Sequence, residues 1–286
     1  MRSATASSAP RCEPRYLNQC APSRALCGRR PDLHVTPCAR APRMPAFMSV
    51  QAKAAMKVSL PVLQSEYGFR KMYVWGKLKG MSADYIIAQG VTHSLKEDGK
   101  KFFYCLDGAS WAQMIEPEPA VVEACKMIPA TAMLTGDAAF QYTVTHEVPE
   151  GEEPPENPED LTVTITEDVR AACMVKEIDA AIAMVPVGAI IQDPTLGVPM
   201  ANSTFAGLSK QESLDLKSWE LLAGLSASQQ LAGSLKSKHM PAHSLTVLRS
   251  LSWPGFCAFC VPSTDKWGYI YVGDGQKNSD IAFSLP

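Results

Sequence analysis

Period-two alternation near both ends of the chain, cut each time by glycine or proline turns, confines this sequence to an antiparallel sheet. Tyr73, Trp75, Lys77 and Lys79 alternate with Met72, Val74, Gly76 and Leu78, as successive side chains of a half-buried strand must point to opposite faces. Gly80-Met81-Ser82 turns the chain, and residues 85–91 return as the second arm of a hairpin. Residues 101–106 add a third, short and aromatic strand. Towards the other end, residues 245–251, 256–261 and 267–272 repeat the pattern. Trp253-Pro254-Gly255, residues 262–265 and Gly273-Asp274-Gly275 supply their turns.

Between these blocks the period changes. Residues 161–165 alternate like a strand, and Thr166 then offers an N-cap with Glu167 and Asp168 in the first turn, where a helix dipole favours negative charge. Val175, Ile178, Ile182 and Val185 recur at helical spacing until Pro186 to Gly188 stops the run. This predicts an amphipathic helix packed on the sheet, with Cys173, Met174 and Met184 as core filler. Residues 209–240 read as a polar, Ser- and Leu-rich helical stretch of weak periodicity. The predicted fold class is α+β: a mainly antiparallel β-sheet with one principal packed helix.

Two segments stand apart from that body. Residues 147–160 contain seven acidic residues and four prolines; charge repulsion and missing N–H donors make this an exposed acidic, Pro-rich insert. Residues 1–47 carry eight arginines, no lysine and only two acids, Glu13 and Asp32. No apolar stretch of signal-peptide length occurs there. Three readings fit: an organelle transit peptide, a leader upstream of a start at Met44 or Met48, or a disordered tail. The abrupt change at Lys53, the first lysine, favours the start-site reading. The expected organisation is therefore a leader over 1–47 and one domain over 48–286.

Charge and cysteine usage exclude several functions. Residues 48–286 hold 19 basic and 27 acidic groups, an acidic balance that disfavours nucleic acid as a partner. No apolar run reaches the roughly 18 residues a bilayer span requires, so no membrane partner is expected. Residues 180–191 come nearest and are interrupted by Pro186 and Gly188. Nine cysteines, an odd number, without a secretory signal point to a reducing cytosolic compartment rather than a disulfide framework.

Catalytic templates find no complete match. Cys257-Ala258-Phe259-Cys260 has redox or zinc spacing but no second ligand pair, and on a strand its thiols point to opposite faces. His239 and His243 are separated by Pro241 and lack the glutamate of a zincin. The loop from Asp274 has Ser279 where a calcium loop needs glycine, and Leu285 where it needs glutamate. Neither glycine-rich phosphate motif occurs. The five histidines, His34, His93, His146, His239 and His243, pair with no nucleophile in a local signature. Asn202-Ser203-Thr204 matches a glycosylation acceptor, without consequence in a cytosolic chain. The expectation is no enzyme activity, no cofactor, no metal and no catalytic residue. Trp267, Tyr269 and Tyr271 share one strand face. That ladder suits either core packing or a partner surface; with Trp75 these residues are the candidate partner interface.

Several ordered blocks resemble one family. Tyr73-Val74-Trp75-Gly76-Lys77-Leu78-Lys79-Gly80 and Ala83-Asp84-Tyr85-Ile86-Ile87-Ala88-Gln89-Gly90 are similar to the radial spoke head protein 9 family, with Ile86 in place of a tyrosine. The likeness continues at Thr135-Gly136-Asp137, Ile178-Asp179, residues 185–189, 205–209, 247–255, 268–273 and 275–278. The acidic insert resembles green algal members in particular. Residues 214–241 depart from the family pattern: a longer stretch with a Tyr-x-His-Phe-Arg-like segment is replaced by a shorter one, which bears on any partner surface that segment carries. The resemblance implies a scaffold subunit of the axonemal radial spoke head in cilia and flagella, relaying signals between the central pair apparatus and the dynein arms. It implies as partners the radial spoke head proteins of the 4/6 type and other spoke subunits, and no cofactor. The alternatives are a cytosolic binding module of another assembly, or a redox or metal enzyme using Cys257 and Cys260.

Overall fold

The computed structural model describes residues 48–92, 94–95, 99–129, 132–145, 162–195, 197–222, 234–241 and 244–281. The leader reading for 1–47, the acidic insert at 147–160 and His34, His93, His146 and His243 lie outside the described residues.

The described fold opens with a helix on one face of a sheet, and its last strand lies beside its first. Helix α1 (Val50–Glu66) precedes β1 (Lys71–Leu78), β2 (Tyr85–Val91), β3 (Lys100–Cys105) and the short β4 (Ala112–Gln113), an antiparallel meander. Helix α2 (Pro119–Met127) follows, opened by a proline whose missing N–H costs nothing there. Three two-stranded ribbons and α3 (Glu167–Ile182) come next. The ribbons pair β5 (Gln141–Thr145) with β6 (Thr162–Thr166), β7 (Met184–Pro186) with β10 (Trp219–Leu221), and β8 (Ile190–Gln192) with β9 (Pro199–Ala201). A second meander, β11 (Leu235–Met240), β12 (Leu245–Ser250), β13 (Phe256–Cys260) and β14 (Trp267–Gly273), completes the fold.

The two meanders join into one eight-stranded sheet of order β11-β12-β13-β14-β1-β2-β3-β4. Its single parallel contact is the seam between β14 and β1, where Gly76, Lys77 and Leu78 face Tyr271, Val272 and Gly273. Glycine is required in this seam: a Cβ on Gly76 would lie 2.1 Å from the Tyr271 carbonyl oxygen. A β-bulge between Val74 and Gly76 breaks the β1 register against β2. The strict alternation expected along 72–79 therefore fails at Trp75. Met72 and Val74 face one side of the sheet, whereas Trp75 and Leu78 both face the other, because the bulge inserts one extra residue and shifts the phase.

Each face of the sheet receives a helix. Val175, Ile178 and Ile182 of α3 pack with Trp75, Leu78, Ile87, Leu248 and Tyr271; each aliphatic side chain so buried contributes roughly 1.5–3 kcal/mol. The helix ends at Ile182, short of the predicted Val185. Pro186 disfavours helical geometry at the residue before it, and residues 184–186 extend into β7 instead. On the opposite face, Met56, Leu60 and Leu63 of α1 cover Met72, Ile86, Ala88 and Phe103. Ser49 caps α1, its hydroxyl accepting from the Ala52 N–H at 3.0 Å.

The α+β class and the mainly antiparallel sheet are as expected, with α3 the predicted helix; α1 and α2 are additional. The helical reading of 209–240 is corrected. Its described residues form two 3-10 turns at Glu212–Leu214 and Leu216–Ser218, then β10 and β11. Serine and aspartate there bond their own backbone, as Asp215 Oδ1 does from the Lys217 N–H at 3.0 Å, which favours turns over a continued helix. Among the described residues no helix is long and apolar enough to cross a membrane.

Candidate partner-binding site

Helix α3 carries an acid on its buried stripe. Asp179 follows Ile178 and sits one turn after Val175, so the packing that buries those side chains also buries its carboxylate, leaving the residue 5% exposed. Three donors from three strands converge on it. Trp75 Nε1 and the Tyr269 hydroxyl each donate to Oδ1 at 2.9 Å, and Lys100 Nζ reaches Oδ2 at 2.5 Å. Lys100 is itself only 9% exposed, so the pair is a buried ion pair whose desolvation is offset by charge-assisted hydrogen bonds. Burial, then the Asp179 charge, raises the Tyr269 hydroxyl well above the ordinary tyrosine range and keeps it a donor.

A second acid fixes the start of the same helix. Glu167, 0% exposed, accepts from the Tyr85 and Tyr142 hydroxyls, from the Thr135 N–H and hydroxyl, and from the Gly136 N–H, each at 2.7 Å. Burial alone would push its carboxyl up, but the Thr135 backbone, Tyr85, Thr135 hydroxyl and Tyr142 donors outweigh it and hold the carboxyl below its usual range. Thr135-Gly136-Asp137 is thus a clamp on the α3 N-terminus. One turn on, Arg170 donates to the Ala132 carbonyl at 2.6 Å and lies 4.6 Å from the centre of the Tyr142 ring.

The four predicted interface aromatics separate. Trp75 is 1% and Tyr271 0% exposed, their rings 5.6 Å apart inside the core. Neither ring offers a partner any surface: the bulge turns Trp75 onto the α3 side, and the seam places Tyr271 against it. The expectation that these two anchor a partner is corrected accordingly. Trp267 and Tyr269 are half-buried and line a cavity of about 350 Å³. Phe205, Met200 and Ile190 belong to its apolar lining, and Gln89 and Lys100 to its polar lining.

The other candidate chemistry is dispersed. Cys257 packs with Leu245 and Val247, whereas Cys260 packs in the α3-side core, so the two thiols lie on opposite faces of β13. Burial pushes the Cys260 thiol up to about 11, against a partial lowering by Ser213. His239 sits in a strand rather than a helix, its Nδ1 3.2 Å from Thr246 Oγ1. Among the described residues no three His, Cys, Asp or Glu side chains group as metal ligands. Sequence reading missed Asp179, Lys100 and Glu167 as structural anchors. A carboxylate at helical spacing from Val175 and Ile182 was the available signal, since a charge on an apolar stripe requires a buried partner.

A family model described as "Radial spokehead-like protein" matches residues 141–286. The radial spoke head protein 9 homolog of Danio rerio is 33% identical over 261 residues, covering 83% of this chain and 93% of that protein. The homologs of Mus musculus and Homo sapiens are each 32% identical, over 264 and 263 residues, with the same shares covered. The family model's span holds Glu167, Asp179 and β14, and with relatives 33% and 32% identical over 83% of its length the chain belongs to the radial spoke head protein 9 family.

Proposed function

We propose that the protein is a structural scaffold subunit of the axonemal radial spoke head, supporting ciliary and flagellar motility, with no catalytic role. The observation that carries this is the likeness to radial spoke head protein 9 homologs across 93% of their length. The physical chemistry supports it. Asp179 and Glu167, the buried carboxylates of α3, are engaged by three and five donors and act as braces between helix and sheet. A brace of this kind stiffens a scaffold, whereas a general acid or base needs a carboxyl poised to exchange a proton.

On this reading residues 48–286 form the scaffold domain and reside in the cytoskeleton of the cilium. Their partners are spoke-head proteins of the 4/6 type and other spoke subunits, and the assembled head contacts the central pair apparatus. Trp267 and Tyr269 are the aromatic contacts offered to a neighbour, since rings with one accessible side are favoured anchors. The test is extraction of axonemes from a ciliated cell expressing the tagged full chain, followed by mass spectrometry of what co-purifies. Recovery with 4/6-type subunits is expected. An intact chain absent from axonemes contradicts the assignment.

A further inference from the structure

The central sheet is forked at its seam. Strand β1 pairs with β2 from Lys71 to Leu78, but with β14 only from Gly76 onward. Strand β14 pairs with β13 from Trp267 to Tyr271, but with β1 only from Tyr271 onward. Residues 71–75 and 267–270 therefore each keep one edge outside any ladder among the described residues, and the two edges flank the same gap. The cavity lies in that gap: Tyr73, Val74 and Trp75 line it together with Trp267, Gly268 and Tyr269. Three consecutive strand residues point alternately to opposite faces, so they can line one space only through the edge of the strand.

The fork is held open by the fold. The β1–β14 register stops at Gly76, directly beside the bulge that β1 carries against β2. The Trp75 indole and the Tyr269 hydroxyl are both held on Asp179 Oδ1, so one buried bracket fixes the two strands where they part. Unpaired edges are normally blunted or covered, because they are templates for another strand. Charge identifies the class of strand. Arg70, Lys71 and Lys266 stand exposed at the cavity, with Asp265 their only acidic neighbour in its lining, while Lys100 is already paired to Asp179. This basic mouth sits on a body with 19 basic and 27 acidic groups.

We infer that the fork between β1 and β14 is a strand-insertion slot for an extended segment of a partner polypeptide, led by acidic residues. The segment adds main-chain hydrogen bonds to the 71–75 and 267–270 edges, places alternate side chains beside Trp267 and Tyr269, and sets its carboxylates against Lys71 and Lys266. The inference deepens the scaffold reading and rests on it for the partner being another spoke protein.

The test uses the purified full chain and three labelled peptides: Asp-Glu-Asp-Val-Thr-Val-Thr-Val, the same with Lys-Arg-Lys leading, and the acidic peptide with proline at alternate positions of its tail. Anisotropy should show saturable binding of the acidic peptide, at least about tenfold tighter than the basic one, and none by the proline peptide. Hydrogen exchange should slow at 71–75 and 267–270 on binding. Lys71→Glu with Lys266→Glu should reverse the charge preference while leaving the unfolding transition in place. Equal binding of the three peptides, or no slowing at those amides, overturns the slot. Amides at 71–75 and 267–270 already protected in the free chain also overturn it, since the chain's own segment then fills the gap. A chain that co-purifies with spoke heads but fails these tests sinks the slot alone; one absent from axonemes sinks the scaffold reading.

Discussion

The Trp75 indole and the Asp179 carboxylate, 104 residues apart in the sequence, meet in a buried hydrogen bond of 2.9 Å. That bond ties the first strand to α3, and the same carboxylate binds Lys100 of β3 and Tyr269 of β14. Helix, N-terminal meander and C-terminal meander are therefore fixed at one point, beside the cavity where the meanders part.

Removing Asp179 would strand the Lys100 ammonium, whose side chain is 3% exposed. Asp179→Ala is expected to lower the unfolding free energy by about 3–5 kcal/mol, whereas Asp179→Leu combined with Lys100→Met should recover part of it, because no charge is then left unpaired although the Trp75 and Tyr269 donors still lose their acceptor. Urea denaturation of the three proteins checks this. Equal losses in single and double variants would contradict the role of the pair.

The seam makes an equally local demand. Gly76→Ala puts a Cβ 2.1 Å from the Tyr271 carbonyl and is expected to cost about 3 kcal/mol or more, since two backbones must separate. Gly68→Ala, at φ +67 with nothing within 4 Å, should cost only about 1–2 kcal/mol, from left-handed backbone strain alone. Thermal unfolding of both variants separates contact from conformation.

Glu167 confers a pH dependence with a defined sign. Its folded carboxyl titrates below the ordinary 4.5, so its contribution is fully present above about pH 4.5 and is lost as pH falls through the lower folded value. Glu167→Gln should reduce stability by about 3 kcal/mol at pH 7, because an amide cannot accept from all five donors. Its stability should then vary less than that of the unmodified chain between pH 5 and 3, as urea midpoints across that range will show.

The redox or metal alternative predicts a reactive thiol at Cys257 or Cys260. Burial instead holds Cys260 near 11 and Cys105 near 12, so iodoacetamide at pH 8 should label both slowly in the folded chain and quickly in urea. The purified protein should carry no stoichiometric zinc. Rapid native labelling at Cys260, or one equivalent of metal, would revive the enzyme reading.

Much of the sheet was legible in the sequence because its strands alternate and end at Gly or Pro turns; α3 was legible because Val175, Ile178 and Ile182 keep helical spacing. Where local pattern and tertiary demand diverge, the reading failed. The bulge at Trp75 leaves a regular-looking alternation in the sequence, yet it sends Trp75 and Leu78 to the same face. Helix α1 buries only Met56, Leu60 and Leu63, exposes Val50, Val58 and Val62, and contains Pro61, so its apolar stripe is blurred. The parallel seam joins residues almost 200 positions apart (on the order of the whole body) and has no local signature. For the candidate interface, strand alternation put Trp267, Tyr269 and Tyr271 on one face but could not separate the buried Tyr271 from the half-buried Trp267 and Tyr269. Family blocks such as Thr135-Gly136-Asp137 and Ile178-Asp179 acquire their physical reason only once Glu167 and Asp179 are seen with their donors.

The most direct measurement replaces the endogenous family member of a ciliated cell with this full chain and images the axonemes. The account predicts restored spoke-head density, with Trp267→Ala weakening retention of the chain in that density. Spokes that remain headless while the chain is folded and abundant in the cell would contradict the scaffold assignment.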